Sequence, residues 1–160
     1  MCKLEGYINV DLRETKSTDL IADCRVLPYK MNSVDEIISF HLIEHFDEPN
    51  ADKLLKYWYS LLKIDGKLVI ETPNLIGMAR RFIKEYDENE KTRPGYLYGC
   101  HCREGRETIL NDNHLWGYSP KSMKLGLEKA GFKNIKISDG TDYHAQDYGV
   151  GFTIRAEAFK

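Results

Sequence analysis

The sequence is poor in several things that would have named a class at once. No apolar run approaches the roughly 18 residues of a membrane span, and the first residues do not form an export signal. Charge of one sign is scarce: 23 Lys and Arg against 25 Asp and Glu leave a net charge of −2. That balance gives no global basic footprint for nucleic acid or for an acidic membrane. Neither low-complexity tract nor internal repeat is present, and 42% apolar residues argue against disorder. Cysteine is limited to Cys2, Cys24, Cys100 and Cys102. Without an export signal these predict free thiols in a reducing, cytoplasmic compartment rather than a disulfide frame. The 160 residues fit one domain with a core of its own.

What is present is an alternation of short strand and helix signals. Gly6–Leu12 reads as a strand ending at Asp11, and Asp19–Asp23 as a second one ending in an acid. Asp35–Phe40 is a third, with continuous apolar letters that suit a strand covered on both faces. Leu54, Leu55, Trp58, Leu61 and Leu62 make one apolar stripe on a helix over 50–63, started by Pro49 and Asn50 and stopped by Asp65-Gly66. Lys67–Glu71 is a fourth strand. A helix over 76–86 turns Met78, Ala79, Phe82 and Ile83 inward. Residues 87–117 read as a long acceptor loop or lid, with Lys91, Arg93, Arg103 and Arg106 balanced by interleaved acids. Ser119-Pro120 caps a helix that Gly131 closes. Strands over 132–138 and 150–159 follow, with no obvious helix between them, which allows them to run antiparallel. The pattern predicts an α/β sandwich with a mostly parallel sheet, as a single domain over 1–160.

Open parallel sheets bind ligands beyond the carboxyl ends of their strands. The residues at those ends are Asp11, Asp23, His41 with Glu44 and His45, and Glu71 with Asn74. An acid there can accept two hydrogen bonds from a ribose diol, or it can simply cap a turn.

The order Tyr7-Ile-Asn-Val-Asp11, Asp19-Leu-Ile-Ala-Asp23-Cys-Arg-Val-Leu-Pro28 and Ser33-Val-Asp35-Glu-Ile-Ile-Ser-Phe-His-Leu-Ile-Glu44-His45 resembles class I S-adenosylmethionine-dependent methyltransferases, in their small type 11-like branch. Leu61–Ile70, His114–Pro120 and Leu127–Phe132 agree with later parts of that family, so the likeness covers nearly the whole chain. The resemblance implies a Rossmann-like three-layer sandwich and S-adenosylmethionine as cofactor. By matching position, Asp11 would hold the ribose hydroxyls and Asp23 the adenine amino group. The Cys24 N–H would face a ring nitrogen, and Leu27 and Leu42 would pack on the adenine. His41 and His114 would be the candidate bases beside a small-molecule or glycan acceptor, since imidazole exchanges its proton near neutrality.

The family's Gly-x-Gly-x-Gly loop and the strand before it are absent; Gly149-Val-Gly151 lies in the wrong place. The expectation is a sheet lacking its first central strand, in the slot between the strands ending at Asp11 and Phe40. Direct pairing of those strands, a strand lent by a second copy in a homodimer, or a start upstream of Met1 would each resolve it. The second functional reading is a degenerate fold kept as a non-catalytic binding or scaffold protein. His41-Leu-Ile-Glu44-His45 also matches the H-x-x-E-H zinc pattern, but that motif needs a helix and here follows a strand. Some RNA and quinone methyltransferases bind a divalent metal through an E-x-x-E-H motif at this place; this chain has His41 where they have the first Glu, and the resemblance implies a milder metal reading for Glu44 and His45, with His114. The reading adopted is that Glu44 and His45 cap and orient the next helix, so no metal is assigned.

Overall fold

The computed structural model describes residues 3–88, 95–98, 113–141 and 151–160. Its elements are β1 (Val10–Asp11), β2 (Leu20–Ile21), β3 (Val34–Phe40), a 3-10 turn (Ile43–His45), α1 (Glu48–Leu61), β4 (Leu62–Pro73), α2 (Leu75–Glu88), α3 (Gly95–Tyr98), α4 (Pro120–Ala130), β5 (Lys133–Asp139) and β6 (Thr153–Phe159). Basic residues 91, 93, 103 and 106 and Cys2, Cys100 and Cys102 lie outside the described residues. Cys24 is a free thiol.

Two sheets result. β1 and β2 pair in parallel, and a separate sheet runs β3-β4-β6-β5. β3 and β4 are parallel, whereas β6 runs antiparallel to both β4 and β5. The antiparallel ending therefore stands as expected, and among the described residues no strand lies between β1 and β3. Direct pairing of the strands that end at Asp11 and Phe40 does not occur, because β1 and β3 belong to different sheets. Across the division the Tyr7 hydroxyl donates to the Glu36 carboxylate. β3 has no strand on its outer edge among the described residues, and its Ile37 and Ile38 are only half-buried.

Helix α1 begins where Asp47 accepts a hydrogen bond from Asn50 N–H at 2.9 Å. This corrects the expected start: the cap is Asp47, and Glu44 and His45 occupy the turn before it. Ala51, Leu54, Leu55, Trp58 and Leu61 are the buried stripe. Each large side chain so buried contributes about 1.5–3 kcal/mol. Trp58 Nε1 also donates to the Cys24 carbonyl, 3.1 Å away, which moors the segment after β2 to the core. α4 packs beside α1 with Met123 and Leu127 fully buried. It carries the expected Ser119 cap, here a reciprocal box with Ser122, and ends on Gly131 at φ 107°.

Asp65-Gly66 does not stop the structure as its turn chemistry implied. Between the pairs Val34↔Leu62 and Glu36↔Lys67, β3 advances two residues and β4 five, so the turn is a bulge inside one strand. Asp65 takes φ 61° there. α2 buries Met78 as expected, but Ile83 is 60% exposed, so the apolar face is narrower than its letters indicate. At the inner end of β4, Glu71 is fully buried, and burial of a lone carboxylate would be costly. Arg155 Nη1 at 2.6 Å and Thr141 Oγ1 at 2.9 Å satisfy it. No helix among the described residues is long and apolar enough to cross a membrane.

Gly77 sits where α2 crosses the segment entering β6. A Cβ there would lie 1.9 Å from the Gly151 carbonyl oxygen. Gly77→Ala gains helix propensity but must displace backbone, a conflict that costs about 1–3 kcal/mol. The expected result is a lower urea midpoint than wild type; an unchanged or higher midpoint would refute the close approach.

Candidate functional site

The carboxyl ends of the strands gather two groups of side chains. The first belongs to β1 and β2. Asp11 Oδ1 accepts the Arg13 N–H at 2.9 Å, and the side chain remains partly exposed. Asp23 is held more firmly, by Arg25 through its backbone N–H, Nε and Nη2, at 2.5–3.0 Å. The Arg25 guanidinium keeps the Asp23 carboxyl below the usual range. Leu27 is half-buried, with its N–H donating to the Tyr57 hydroxyl at 2.8 Å. Cys24 packs partly against the core, and burial pushes its thiol up to about 11, so it is no nucleophile at neutral pH.

The second group lies beyond β3 and β4. His41 leaves β3 at φ 46°, a left-handed conformation that a residue with a Cβ adopts at a cost. Its N–H donates to the Glu71 carbonyl at 2.9 Å, which keeps it in register with β4. Three residues on, Glu44 is 2% exposed. Glu44 Oε2 accepts from Thr72 Oγ1 at 2.9 Å, and Oε1 lies 3.3 Å from His41 Nδ1. Burial raises the Glu44 carboxyl, but His41 and His45 outweigh it, so the group sits below its ordinary value and is ionised at neutral pH. Leu42 packs partly against the core between them.

The segment after residue 113 comes to the same carboxylate. Leu115 and Trp116 both donate their N–H to the Glu44 carbonyl, at 2.8 and 3.1 Å. That anchors His114, whose ring meets the His45 ring edge-on at 5.4 Å between centroids. Burial pushes the His114 imidazole down, and the Glu44 charge pulls it part of the way back. A cavity of about 180 Å³ opens here, lined by Glu44, His114, Leu75, Met78, Tyr98 and Trp116.

The structure thus joins His41 and His114, 73 positions apart in the chain, through Glu44. Asp11, Asp23, Cys24 and Leu27 form the other group. Sequence reasoning missed Glu44 as the hub, together with Thr72 and Trp116. Its one available signal was the three-residue step from His41 to Glu44 just past a strand end.

A parallel β1–β2 pair, with helices packed on a mixed sheet, belongs to the α/β class, whose ligands bind beyond the carboxyl ends of the strands. More narrowly, the chain belongs to the methyltransferase domain family: the model described as "Methyltransferase domain" matches residues 9–137. No curated protein matches by sequence. Among solved structures, the chain is similar to a SAM-dependent methyltransferase of Archaeoglobus fulgidus, with TM-score 0.60, 17% identity and coverage of 94% of this chain and 74% of that one. A SAM-dependent methyltransferase of Thermotoga maritima gives 0.53 and 20%, covering 87% and 62%. The 1,6-didemethyltoxoflavin-N1-methyltransferase of Burkholderia thailandensis, with bound 1,6-didemethyltoxoflavin and S-adenosylhomocysteine, gives 0.62 and 12%, covering 94% and 59%. At these identities the likeness is one of fold. This chain spans less than two thirds of the Thermotoga and Burkholderia chains.

The electrostatics of His114 are directly testable. Its folded value lies below the ordinary 6.5, so as pH falls the unfolded chain takes up the proton first. The neutral ring's contribution to stability is therefore full above the unfolded value and is lost as pH falls from there through the lower folded value. A proton NMR titration should place His114 below 6.5, and Glu44→Gln should lower it further by removing the favourable charge. A rise in Glu44→Gln would show that Glu44 does not face this ring.

Proposed function

We propose that this domain transfers a methyl group from S-adenosylmethionine to a small-molecule or glycan acceptor. The observation that carries the reading is the family match across residues 9–137. The residues present fit the cofactor in kind. Partly exposed Asp11 ends β1, half-buried Leu27 and Leu42 offer apolar surface, and Ser39 Oγ near the end of β3 is buried without a hydrogen-bond partner.

When bound, the cofactor supplies an electrophilic methyl on a sulfonium, so the protein's part is alignment and proton removal rather than covalent catalysis. Asp11 would accept from the ribose hydroxyls. Asp23 and the Cys24 N–H would meet the adenine edge, with Leu27 and Leu42 on its faces. Asp23 is engaged by Arg25, so it can serve as acceptor only with lone pairs that Arg25 leaves available. On the acceptor side, His114 is the better base. Burial holds it neutral at neutral pH, and it lines the cavity. His41 acts on Glu44 and through it on the acceptor side.

One observation favours a second reading, a non-catalytic binding protein. The β1–β2 pair that carries the nucleoside-side residues stands apart from the four-stranded sheet that carries the histidines.

Calorimetric titration with S-adenosylmethionine and S-adenosylhomocysteine separates the two. The methyltransferase reading predicts binding by the wild-type chain, weakened about tenfold or more in Asp11→Ala, which corresponds to about 1.4 kcal/mol. Absence of binding to the folded wild-type chain would favour the non-catalytic reading.

A further inference from the structure

The wall of the cavity beyond β4 is mostly apolar. Leu75, Met78, Leu97 and Leu115 supply its aliphatic part, and Tyr98 and Trp116 add two aromatic rings. Leu75, Tyr98, Leu115 and Trp116 are 39–62% exposed, so the rim of the cavity is apolar as well. Apolar surface left open around a concavity marks a ligand site. The wall is also held in place by backbone bonds. Leu75 N–H donates to the Tyr118 carbonyl at 2.7 Å, and Leu115 and Trp116 donate to the Glu44 carbonyl. Gly117 lies so near that a Cβ on it would stand 2.9 Å from Leu75 Cδ2. The cavity is therefore formed before any ligand arrives.

Glu44 and His114 are set into this wall. Thr72 and His41 hold the Glu44 carboxylate, and neither of them lines the cavity. One carboxylate oxygen lies within 4.8 Å of a His114 ring nitrogen. Among the described residues no Lys or Arg lines the cavity. An anion entering it would meet a negative charge in apolar surroundings and be repelled. A neutral aromatic ring would not be, and an ammonium group would be drawn both to the carboxylate and to the ring faces. The His114 ring is hydrogen-bonded to the Leu97 carbonyl. A neutral imidazole has one N–H, so its second nitrogen is left as an acceptor for an O–H or N–H of the ligand. A sugar carries hydroxyls all around its ring, and each needs a polar partner once desolvated. The four aliphatic side chains offer none.

We propose that this cavity takes a planar aromatic small molecule without negative charge, its hydroxyl or N–H turned to His114 and its ring against Trp116. The role of that molecule as methyl acceptor rests on the methyl-transfer reading, which it narrows from small molecules and glycans to aromatic ones. Its binding does not rest on that reading. Glu44 sets the charge preference, and Trp116 sets the preference for a flat ring.

The test is a ligand-detected NMR titration of the full chain at neutral pH, without cofactor, using four small probes. These are p-cresol, which is neutral, tyramine, which is cationic, p-hydroxybenzoate, which is anionic, and methyl glucoside. The expected result is binding of p-cresol and tyramine, with p-hydroxybenzoate at least about tenfold weaker than p-cresol and methyl glucoside weaker still. Tenfold corresponds to about 1.4 kcal/mol. Glu44→Gln should bring p-hydroxybenzoate to within about threefold of p-cresol, an effect that a merely structural role would not produce. Trp116→Ala, at a partly exposed position, should weaken both aromatic probes at least about tenfold while keeping the wild-type circular dichroism. The proposal is overturned if neither p-cresol nor tyramine binds, if p-hydroxybenzoate or methyl glucoside binds the wild-type chain as tightly as p-cresol, if folded Glu44→Gln keeps the full discrimination, or if Trp116→Ala binds as wild type. Failure to bind S-adenosylmethionine would strike the methyl-transfer reading and leave these probe affinities unchanged.

Discussion

A carboxylate that is 2% exposed cannot stand alone, and the arrangement around Glu44 follows from that constraint. Its oxygens are met by Thr72 from β4 and His41 from the end of β3. Its carbonyl takes two N–H groups from the segment at 115–116. Three parts of the chain distant in sequence are thereby drawn to one point. The left-handed turn at His41 is the local cost, since it swings the ring back over the strand end towards the carboxylate. The cavity, the depressed His114 imidazole and the cluster with His45 all surround that same side chain.

The rest of the molecule serves as a frame. β4 is the strand on which both halves of the four-stranded sheet depend, pairing with β3 on one side and β6 on the other. It is buried almost throughout from Leu68 to Pro73. Glu71 ties β4 to β6 through Arg155 and to the segment after β5 through Thr141, at the level where His41 joins β4. The His41–Glu44–His114 group therefore rests on a strand end braced on both sides. The Asp11 and Asp23 group rests on a two-residue pair, and the segment after it is moored through Trp58 and Tyr57.

Much of this was legible from the letters. The Trp58 stripe, the Ser119-Pro120 cap, the Gly131 stop and the antiparallel ending each rest on local chemistry or connection length, and each stands in the structure. What was not legible depended on tertiary contact. Ile83 has the right helical spacing but is left 60% exposed among the described residues. Asp65-Gly66 has turn chemistry, but pairing on both sides of it makes the turn a bulge. Glu44 looked like a helix-entry acid, because only the return of residues 114–116 from the far end of the chain reveals what it holds. The split between the two sheets was foreseen as a missing strand, although the sequence left open whether β1 and β3 would close on each other.

The central claim is that Glu44 and His41 act as a coupled pair. A double-mutant cycle of Glu44→Gln and His41→Asn, read by urea unfolding at pH 7, tests it most directly. The account predicts that the two changes are non-additive by about 1 kcal/mol or more, as expected for a charge-assisted contact between buried neighbours. Additivity within about 0.3 kcal/mol would contradict it, and would mean that the carboxylate is held without His41.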